Sequence, residues 1–437
     1  MTKSKELRAK GKEQRVKTNI IRIVLIILCT MLFALCFSSI IAAKVYIDIT
    51  SPAMEKLPIA IYDFGGLSGK EISDIIKDDL EFTGFFTYID RAAYIEGISQ
   101  PFNLKNWTPL GVETVVKGTV KEGKELILPV SLFDVIEAKE IFKKEYKAGK
   151  ELIRPLGHTI ASDIYKALTG ETGVFRSRIA FVAEEGGRKD IYIMDWDGKR
   201  SSKLGLKENL ILSPHWSRDG ANIIYSAERN RQWGIYLVNF SNRTVKKVFS
   251  SKGTNIAGDL SPDGNEFTFS SSKDGNIDLY TMSLRNNMVN KLTSSRSIEV
   301  SPAISPDGNY IAFVSDRGGS PQIYTMRKGG SDVRRISFEG SYNTSPNWSP
   351  RGDKIVFSGR RNTNQIFIVT PDGTGLTQLT TQGNNEDPSF SPDGRFITFT
   401  SDRDVVKGIY IMRANGESQK RITPRKVKAF YPRWSPN

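Results

Sequence analysis

Two histidines and two cysteines are all that 437 residues offer as soft or tunable ligands. Both cysteines, Cys29 and Cys36, fall in one apolar run near the N-terminus, so the chain beyond residue 43 has no disulfide and no thiolate chemistry, and its stability rests on packing. Neither cysteine follows the small residue that a lipoprotein signal needs, which argues against acylation. A metal site built from Cys and His is excluded by count. His158 opens a predicted helix and His215 precedes Trp216 on a predicted strand, whereas a catalytic triad needs a base positioned by a third group. There is no Gly-x-Ser-x-Gly elbow and no hydrolase domain after the last repeat. The chain is expected to be no enzyme, with no catalytic residue, metal or cofactor.

Acidic residues are also in deficit, 48 against 62 basic ones, for a net charge of +14. The excess is unevenly placed. Residues 1–43 carry eight basic side chains against Glu6 and Glu13, a net +6, leaving +8 on the rest. Beyond a denser run at the C-terminus (Lys420, Arg421, Arg425, Lys426, Lys428, Arg433) the bases are scattered, and no aromatic-basic RNA motif appears, so nucleic acid is not an expected partner.

What is present begins with that basic N-terminal segment. It precedes an apolar run from Ile23 to Ala43, interrupted only by Thr30, Ser38 and Ser39. Basic flank, apolar stretch and closing small residues describe a Sec-type export signal. At about 21 residues the run also has the length of a membrane span, which leaves an uncleaved inner-membrane anchor open. Either way the positive flank stays inside and everything from Lys44 onward is translocated, to the periplasm.

The second half repeats. Ser217-Arg218-Asp219-Gly220, Ser261-Pro262-Asp263-Gly264, Ser305-Pro306-Asp307-Gly308, Ser349-Pro350-Arg351-Gly352, Ser391-Pro392-Asp393-Gly394 and Ser435-Pro436-Asn437 recur every 42 or 44 residues. Pro presets a type I turn, Asp caps it and Gly takes the left-handed position. A strand with two large residues on one face follows each turn, such as Ile223 and Tyr225 or Phe267 and Phe269. A second strand is centred on Ile235-Tyr236 and its counterparts, and a third carries Val248, Leu292, Ile336, Leu379 or Ile422. With the short strand before each turn, four strands per repeat describe propeller blades. The first unit lacks an innermost strand and the last supplies only that strand, Pro432 to Pro436; joined, they complete a sixth blade and remove open sheet edges. The turn aspartates Asp219, Asp263, Asp307 and Asp393 are turn caps held apart by blade geometry rather than a paired acid and base.

Residues 44 to 172 lack the repeat. Val45 to Ile49 and Leu57 to Phe64 read as strands, Gly69 to Thr83 as a helix ending at Gly84, and Phe85 to Ile89 as a strand. Val112–Val120 and Leu126–Asp134 form a hairpin around Lys121 to Lys124; a strand Ile141–Tyr146, a helix Gly157–Leu168 and a linker Thr169–Gly173 follow. The expected fold class is an α/β N-terminal domain plus an all-β six-bladed propeller closed by a blade shared between the chain ends. The expected domains are 1–43 (leader), 44–172 and 173–437.

This order of leader, α/β domain, Leu168-Thr169-Gly170 and Ser-Pro-Asp-Gly blades, with Phe175-Arg176-Ser177-Arg178-Ile179-Ala180-Phe181-Val182 opening the propeller, resembles the TolB family, periplasmic propeller proteins of the Tol-Pal envelope system. The resemblance implies a soluble monomeric scaffold that binds the lipoprotein Pal on one propeller face and TolA through its N-terminal strand, supporting outer-membrane integrity and constriction at division. That strand is Lys44, Val45, Tyr46, Ile47, Asp48 and Ile49 here; an extended apolar segment at a terminus can join a partner's sheet edge. The Pal-facing loops are expected to be those leading into each innermost strand: Thr254 and Asn255, Glu299 and Val300, Ser341, Asn343 and Thr344, and Asn384, Glu386 and Asp387. The competing class is a ligand-binding or hydrolytic exported propeller, which perturbed carboxylates lining the channel would favour.

Overall fold

The computed structural model describes residues 55–208 and 210–436. Lys44 to Ile49 and the leader lie outside them. No helix among the described residues is long and apolar enough to cross a membrane.

The N-terminal part is a mixed sheet carrying two helices. Strands β1 (Leu57–Ile61), β2 (Phe86–Tyr88), β3 (Thr114–Gly118), β4 (Lys121–Glu122), β5 (Leu126–Asp134) and β6 (Lys139–Ala148) run in the order β2-β1-β3-β5, with β4 and β6 both on β5. Strict alternation of buried residues along β5 (Leu126, Leu128, Val130, Leu132) shows one face turned to the core. Helix α1 (Gly66–Thr83) buries Ile72, Ile75, Ile76 and Leu80 at helical spacing and stops at Gly84, whose φ of 82° is open to glycine. Helix α2 spans Ile153–Thr169. It begins four residues before the expected Gly157, because Pro155 fits a first turn that needs no N–H from it. His158 therefore lies inside the helix rather than at its start. Between β2 and β3 the chain makes three short 3-10 turns over 91–110. They are pinned by a buried ion pair, Lys117 Nζ to Glu96 Oε1 at 2.5 Å, with Asn103 N donating to Glu96 Oε2 at 2.7 Å.

Six four-stranded antiparallel sheets follow. From the innermost strand outward, blade 1 is Leu210–Trp216, Asn222–Arg229, Gln232–Asn239 and Val245–Ser250. Blades 2 to 5 begin at Asn255–Leu260, Glu299–Ile304, Asn343–Trp348 and Asn385–Phe390. In blade 6 the innermost strand is Lys428–Trp434, paired with Arg178–Glu185, then Arg188–Asp195 and Ser202–Lys203. Trp434 stands opposite Ile179, and Arg178 N donates to Ser435 Oγ at 2.8 Å.

The repeated turn follows its sequence. In blade 1, Ser217 Oγ donates to Asp219 Oδ1 (2.5 Å) and accepts from Asn222 N (2.9 Å), while Ala221 N donates to Asp219 Oδ1 (2.9 Å). The same bonds hold the Asp263 carboxyl down at about 2, the Ser261 hydroxyl first and Asn265 second. In blade 4, where Arg351 replaces the aspartate, Asp353 accepts from Ser349 Oγ instead (2.6 Å). The apolar pairs interleave between blades: Ile224 and Ile235 of blade 1 pack with Phe267 and Phe269 of blade 2.

The two parts are packed together: the segment expected as a linker is exposed at Gly170 and Thr172, but the residues just after it, Val174 and Phe175, are buried. Phe175 meets Tyr165 of α2 edge-on at 5.6 Å and Trp196 of blade 6 at 5.6 Å. Phe82, at the end of α1, lies 5.3 Å from Phe396 and 5.5 Å from Trp196, and Arg413 Nε donates to its carbonyl at 3.0 Å. Gly84 is required there, since a Cβ would sit 2.5 Å from Arg413 Cζ.

Candidate functional site

The loops leading into the innermost strands share one end of the propeller with the turns that follow each second strand, and hydrogen bonds tie them together. Thr254 N donates to Ser272 Oγ (2.9 Å), Ile298 N to Asp316 Oδ1 (2.8 Å) and Asn384 N to Asp402 Oδ1 (2.7 Å), while Arg360 N donates to Tyr342 O (2.9 Å). The loops are thus held on rigid sheets, as a preorganised recognition surface requires.

The residues expected on this face divide into two sets. Asn255, Glu299 and Asn343 are buried, each the first residue of its innermost strand. Asn255 Oδ1 accepts from Ser251 Oγ (2.7 Å) and Ser271 Oγ (2.6 Å); Asn343 Nδ2 donates to Gln322 Oε1 (2.7 Å) and Glu339 O (2.8 Å). Asn385 does the same in blade 5, and Glu299 pairs with Arg317 and accepts from Ser295 Oγ at 2.9 Å. These side chains fasten the loops and offer no surface to a partner, a correction that follows from burial. Ser341 is exposed and Thr254, Val300, Thr344, Asn384, Glu386 and Asp387 are partly exposed. Glu386 holds Lys407 Nζ at 2.6 Å and Asn364 Nδ2 at 2.9 Å. Sequence reasoning missed the apolar members of the face, Ile298 (47% exposed), Tyr342 (42%) and Val405 (92%). Large apolar side chains left in water on loops are a recognisable binding signal.

Every innermost strand carries a register shift. Five shifts pair a residue at positive φ with a following proline: Ser213-Pro214, Ser301-Pro302, Ser345-Pro346, Asp387-Pro388 and Tyr431-Pro432. In blade 2 the pair is Ala257-Gly258, where a Cβ on Gly258 would lie 2.5 Å from Pro302 O. Such bulges re-aim side chains. One ring of residues, His215, Asp259, Asn347, Ser389 and Arg433, links each blade to another. His215 Nδ1 lies 2.6 Å from Asp259 Oδ1, Ile304 N donates to Asp259 Oδ2 (3.0 Å) and Phe390 N to Asn347 Oδ1 (2.9 Å). Burial lowers the His215 pKa against the opposing pull of Asp259. Asp259 itself lies below the usual carboxylate range; burial would raise it, but His215 and Arg433 outweigh that. Asp387 goes the other way. Burial pushes its carboxyl up to about 6, helped by Glu386 and opposed by Arg433 and by Ser345 Oγ, which donates at 3.0 Å.

His158 is buried where α2 meets blade 6. Its Nδ1 lies 2.7 Å from Asp79 Oδ2, and Nε2 has no hydrogen-bond partner and faces Asp195 Oδ2 at 4.0 Å. His158, Asp195 and Asp197 bring ligand atoms within 4.8 Å of one another. Both carboxylates are already engaged: Arg200 holds Asp195 through Nε (2.7 Å) and Nη2 (2.8 Å), and Arg154 holds Asp197. The cluster is an ion-pair network between the two parts of the chain, and a metal would have to displace two guanidinium groups.

Comparison with known proteins places these features in a family. The model described as the TolB beta propeller domain matches residues 165–437, and the TolB amino-terminal domain matches 45–141. The Tol-Pal system protein TolB of Geobacter sulfurreducens is 52% identical over 427 residues, covering 95% of this chain and 99% of that one. The Tol-Pal system protein TolB of Desulfosudis oleivorans is 35% identical over 196 residues, 41% of this chain and 45% of that one. The crystal structure of TolB from Acinetobacter baumannii superposes with a TM-score of 0.80 at 29% identity, covering 90% of this chain and all of that one.

Proposed function

The chain belongs to the TolB family of Tol-Pal system proteins, and on that premise we propose that it is a non-catalytic periplasmic scaffold that binds Pal through the propeller end bearing Ile298, Tyr342 and Val405, and TolA through Lys44 to Ile49. In this role it supports outer-membrane integrity and envelope constriction at division. The observation that carries the reading is the pairing of that family membership with one loop-bearing end where apolar side chains stand exposed among partly exposed polar ones, Thr344, Asn384 and Glu386. A protein-binding patch has this composition: a few apolar anchors within a polar rim, all on fixed backbone. Affinity capture from envelope extracts with the chain from residue 44 onward tests it, Pal being the expected catch.

The TolA arm makes its own prediction. Deleting residues 44–50 should abolish binding to a TolA C-terminal domain, measured by calorimetry, because edge pairing supplies the affinity through main-chain hydrogen bonds. Unchanged affinity would remove the N-terminal strand from the account. Pal binding by the same variant should persist.

A ligand-binding channel is the second reading, favoured by the Asp387 carboxyl at about 6. A small molecule retained through native mass spectrometry and lost in Asp387→Asn would support it.

A further inference from the structure

The six blades are not equivalent at their outer rim. Blade 1 ends in a six-residue strand, Val245–Ser250, where the outermost strands of the others have two or three residues. Beside it, the outermost strand of blade 6 is Ser202–Lys203, followed by residues 204–208 outside any strand. Between these walls lies a cleft of about 1260 Å³, bounded by Ala221 at one end of blade 1's second strand and by Arg229 and Asn230 at the other. That strand has eight residues, so the cleft runs for roughly 26 Å along it.

Its lining is strongly basic. Arg178, Arg200, Lys203, Lys207, Arg229 and Arg243 face it, against Asp195 and Glu208. Both carboxylates are taken, Asp195 by Arg200 and Glu208 by Arg229. Arg178, Lys207 and Arg243 have no carboxylate at ion-pair distance among the described residues, and Lys203 acts on Asp190 only from farther off. They occur toward both ends: Arg178 pairs in register with Asp195, whereas Leu206, next to Lys207, donates its N–H to Asp190 Oδ2 at 3.2 Å. Leu204, Leu206, Phe240 and Val245 supply apolar contact between the charges. The outer edge of Ser202–Lys203 pairs with no strand among the described residues.

We propose that this groove binds an extended acidic segment of a partner protein, laid along the seam between blades 6 and 1 with its carboxylates against Arg178, Lys203, Lys207 and Arg243. The site touches the loop-bearing end assigned above to Pal only at Lys207 and Arg229, while Arg178, Lys203 and Arg243 lie away from it. A point anion would use one end of so long a cleft, whereas an extended chain of seven or eight residues spans it, meets cations at both ends and can pair with the free strand edge. Charge complementarity of this kind gives salt-dependent association.

The test uses the chain from residue 44 onward and a fluorescent octa-glutamate peptide at 150 mM salt, with octa-glutamine as the neutral control. Octa-glutamate should bind and octa-glutamine should not. The double variant Lys203→Ala/Arg243→Ala should lose at least tenfold in affinity with its melting temperature unchanged. Lys143→Ala/Lys147→Ala, an equal charge loss on β6, should bind as the parent does. Equal loss in both double variants would reduce the effect to net charge and overturn the proposal. So would octa-glutamate failing to bind, including a case where inorganic polyphosphate or phosphatidylglycerol vesicles bind in its place. Pal binding should be unaffected by the groove variants, so failure here and failure of the Pal assignment are distinguishable.

Discussion

Removing residues 428–437 should leave no cooperative thermal unfolding transition for the propeller. The deleted strand supplies the innermost position of blade 6, where Lys428, Ala429, Phe430, Arg433 and Trp434 stand opposite Glu184, Ala183, Val182, Ala180 and Ile179. Without it, that strand's ladder partners lose their hydrogen bonds and the buried faces of Ile179 and Val182 lose their cover; Trp216 Nε1, which donates to Arg433 O at 3.1 Å, is orphaned. The strand Arg178–Glu185 becomes an open sheet edge. Whole-protein stability of about 5–15 kcal/mol cannot absorb such a loss. Trp434→Ala is the milder form: it empties a buried indole and should cost about 3–5 kcal/mol, read by circular dichroism as a lowered melting temperature. A truncated chain that melts cooperatively within a few degrees of the full one would show that the seam is not what holds the ring.

The second large effect is a pH dependence located at His158. Arg154 on its own helix, Asp79 on α1, and Asp195, Asp197, Arg200 and Lys420 on the propeller side all surround it. Burial alone would lower its pKa, but the hydrogen bond and charge of Asp79, with Asp197 beyond, raise it above the ordinary value. Burial likewise pushes Asp79 up to about 6, against the pull of His158. Both groups therefore hold protons more tightly folded than unfolded, so their contribution to stability is full in acid and falls as pH rises, through the Asp79 range near 6 and then through the raised His158 range above about 6.5. His158→Gln should cost roughly 1–3 kcal/mol at pH 5.5, where it removes the charged ring that bonds Asp79 and faces Asp195, and less than half of that at pH 8.5. Referring each pH to the parent chain removes the opposite trend of the His215–Asp259 pair, whose shifts are both downward. A cost independent of pH would mean that His158 stays neutral throughout.

What could be read in the sequence was whatever is decided locally. The Ser-x-Asp-Gly turn is such a case, because six consecutive residues make all its bonds; so is the alternation of Ile, Phe and Tyr along the second strands. The bulges were legible but overlooked: Ser213-Pro214, Ser301-Pro302, Ser345-Pro346, Asp387-Pro388 and Tyr431-Pro432 each stand four residues before a repeat serine. Asn255, Glu299 and Asn343 were read as surface residues because they are polar. Their burial depends on Ser271, Arg317 and Gln322, each on another strand, which no local pattern reveals. The pairing of His158 is hidden for the same reason: its neighbours Asp79 and Asp195 lie 79 and 37 positions away in the chain. The groove needed blade 1's outer strand to be longer than its counterparts, a comparison between blades that periodicity hides. The apolar trio of the binding face was equally silent, since Ile298 and Val405 look like core residues until the fold leaves them in water.

That trio bears the central claim, and calorimetric titration of purified Pal into the chain from residue 44 onward tests it most directly. The account predicts one saturable site whose affinity falls at least tenfold in Ile298→Ser/Tyr342→Ala/Val405→Ser, while Lys203→Ala/Arg243→Ala, away from that end, binds Pal as the parent does. Equal affinity for parent and triple variant would place the partner elsewhere on the molecule and contradict the account.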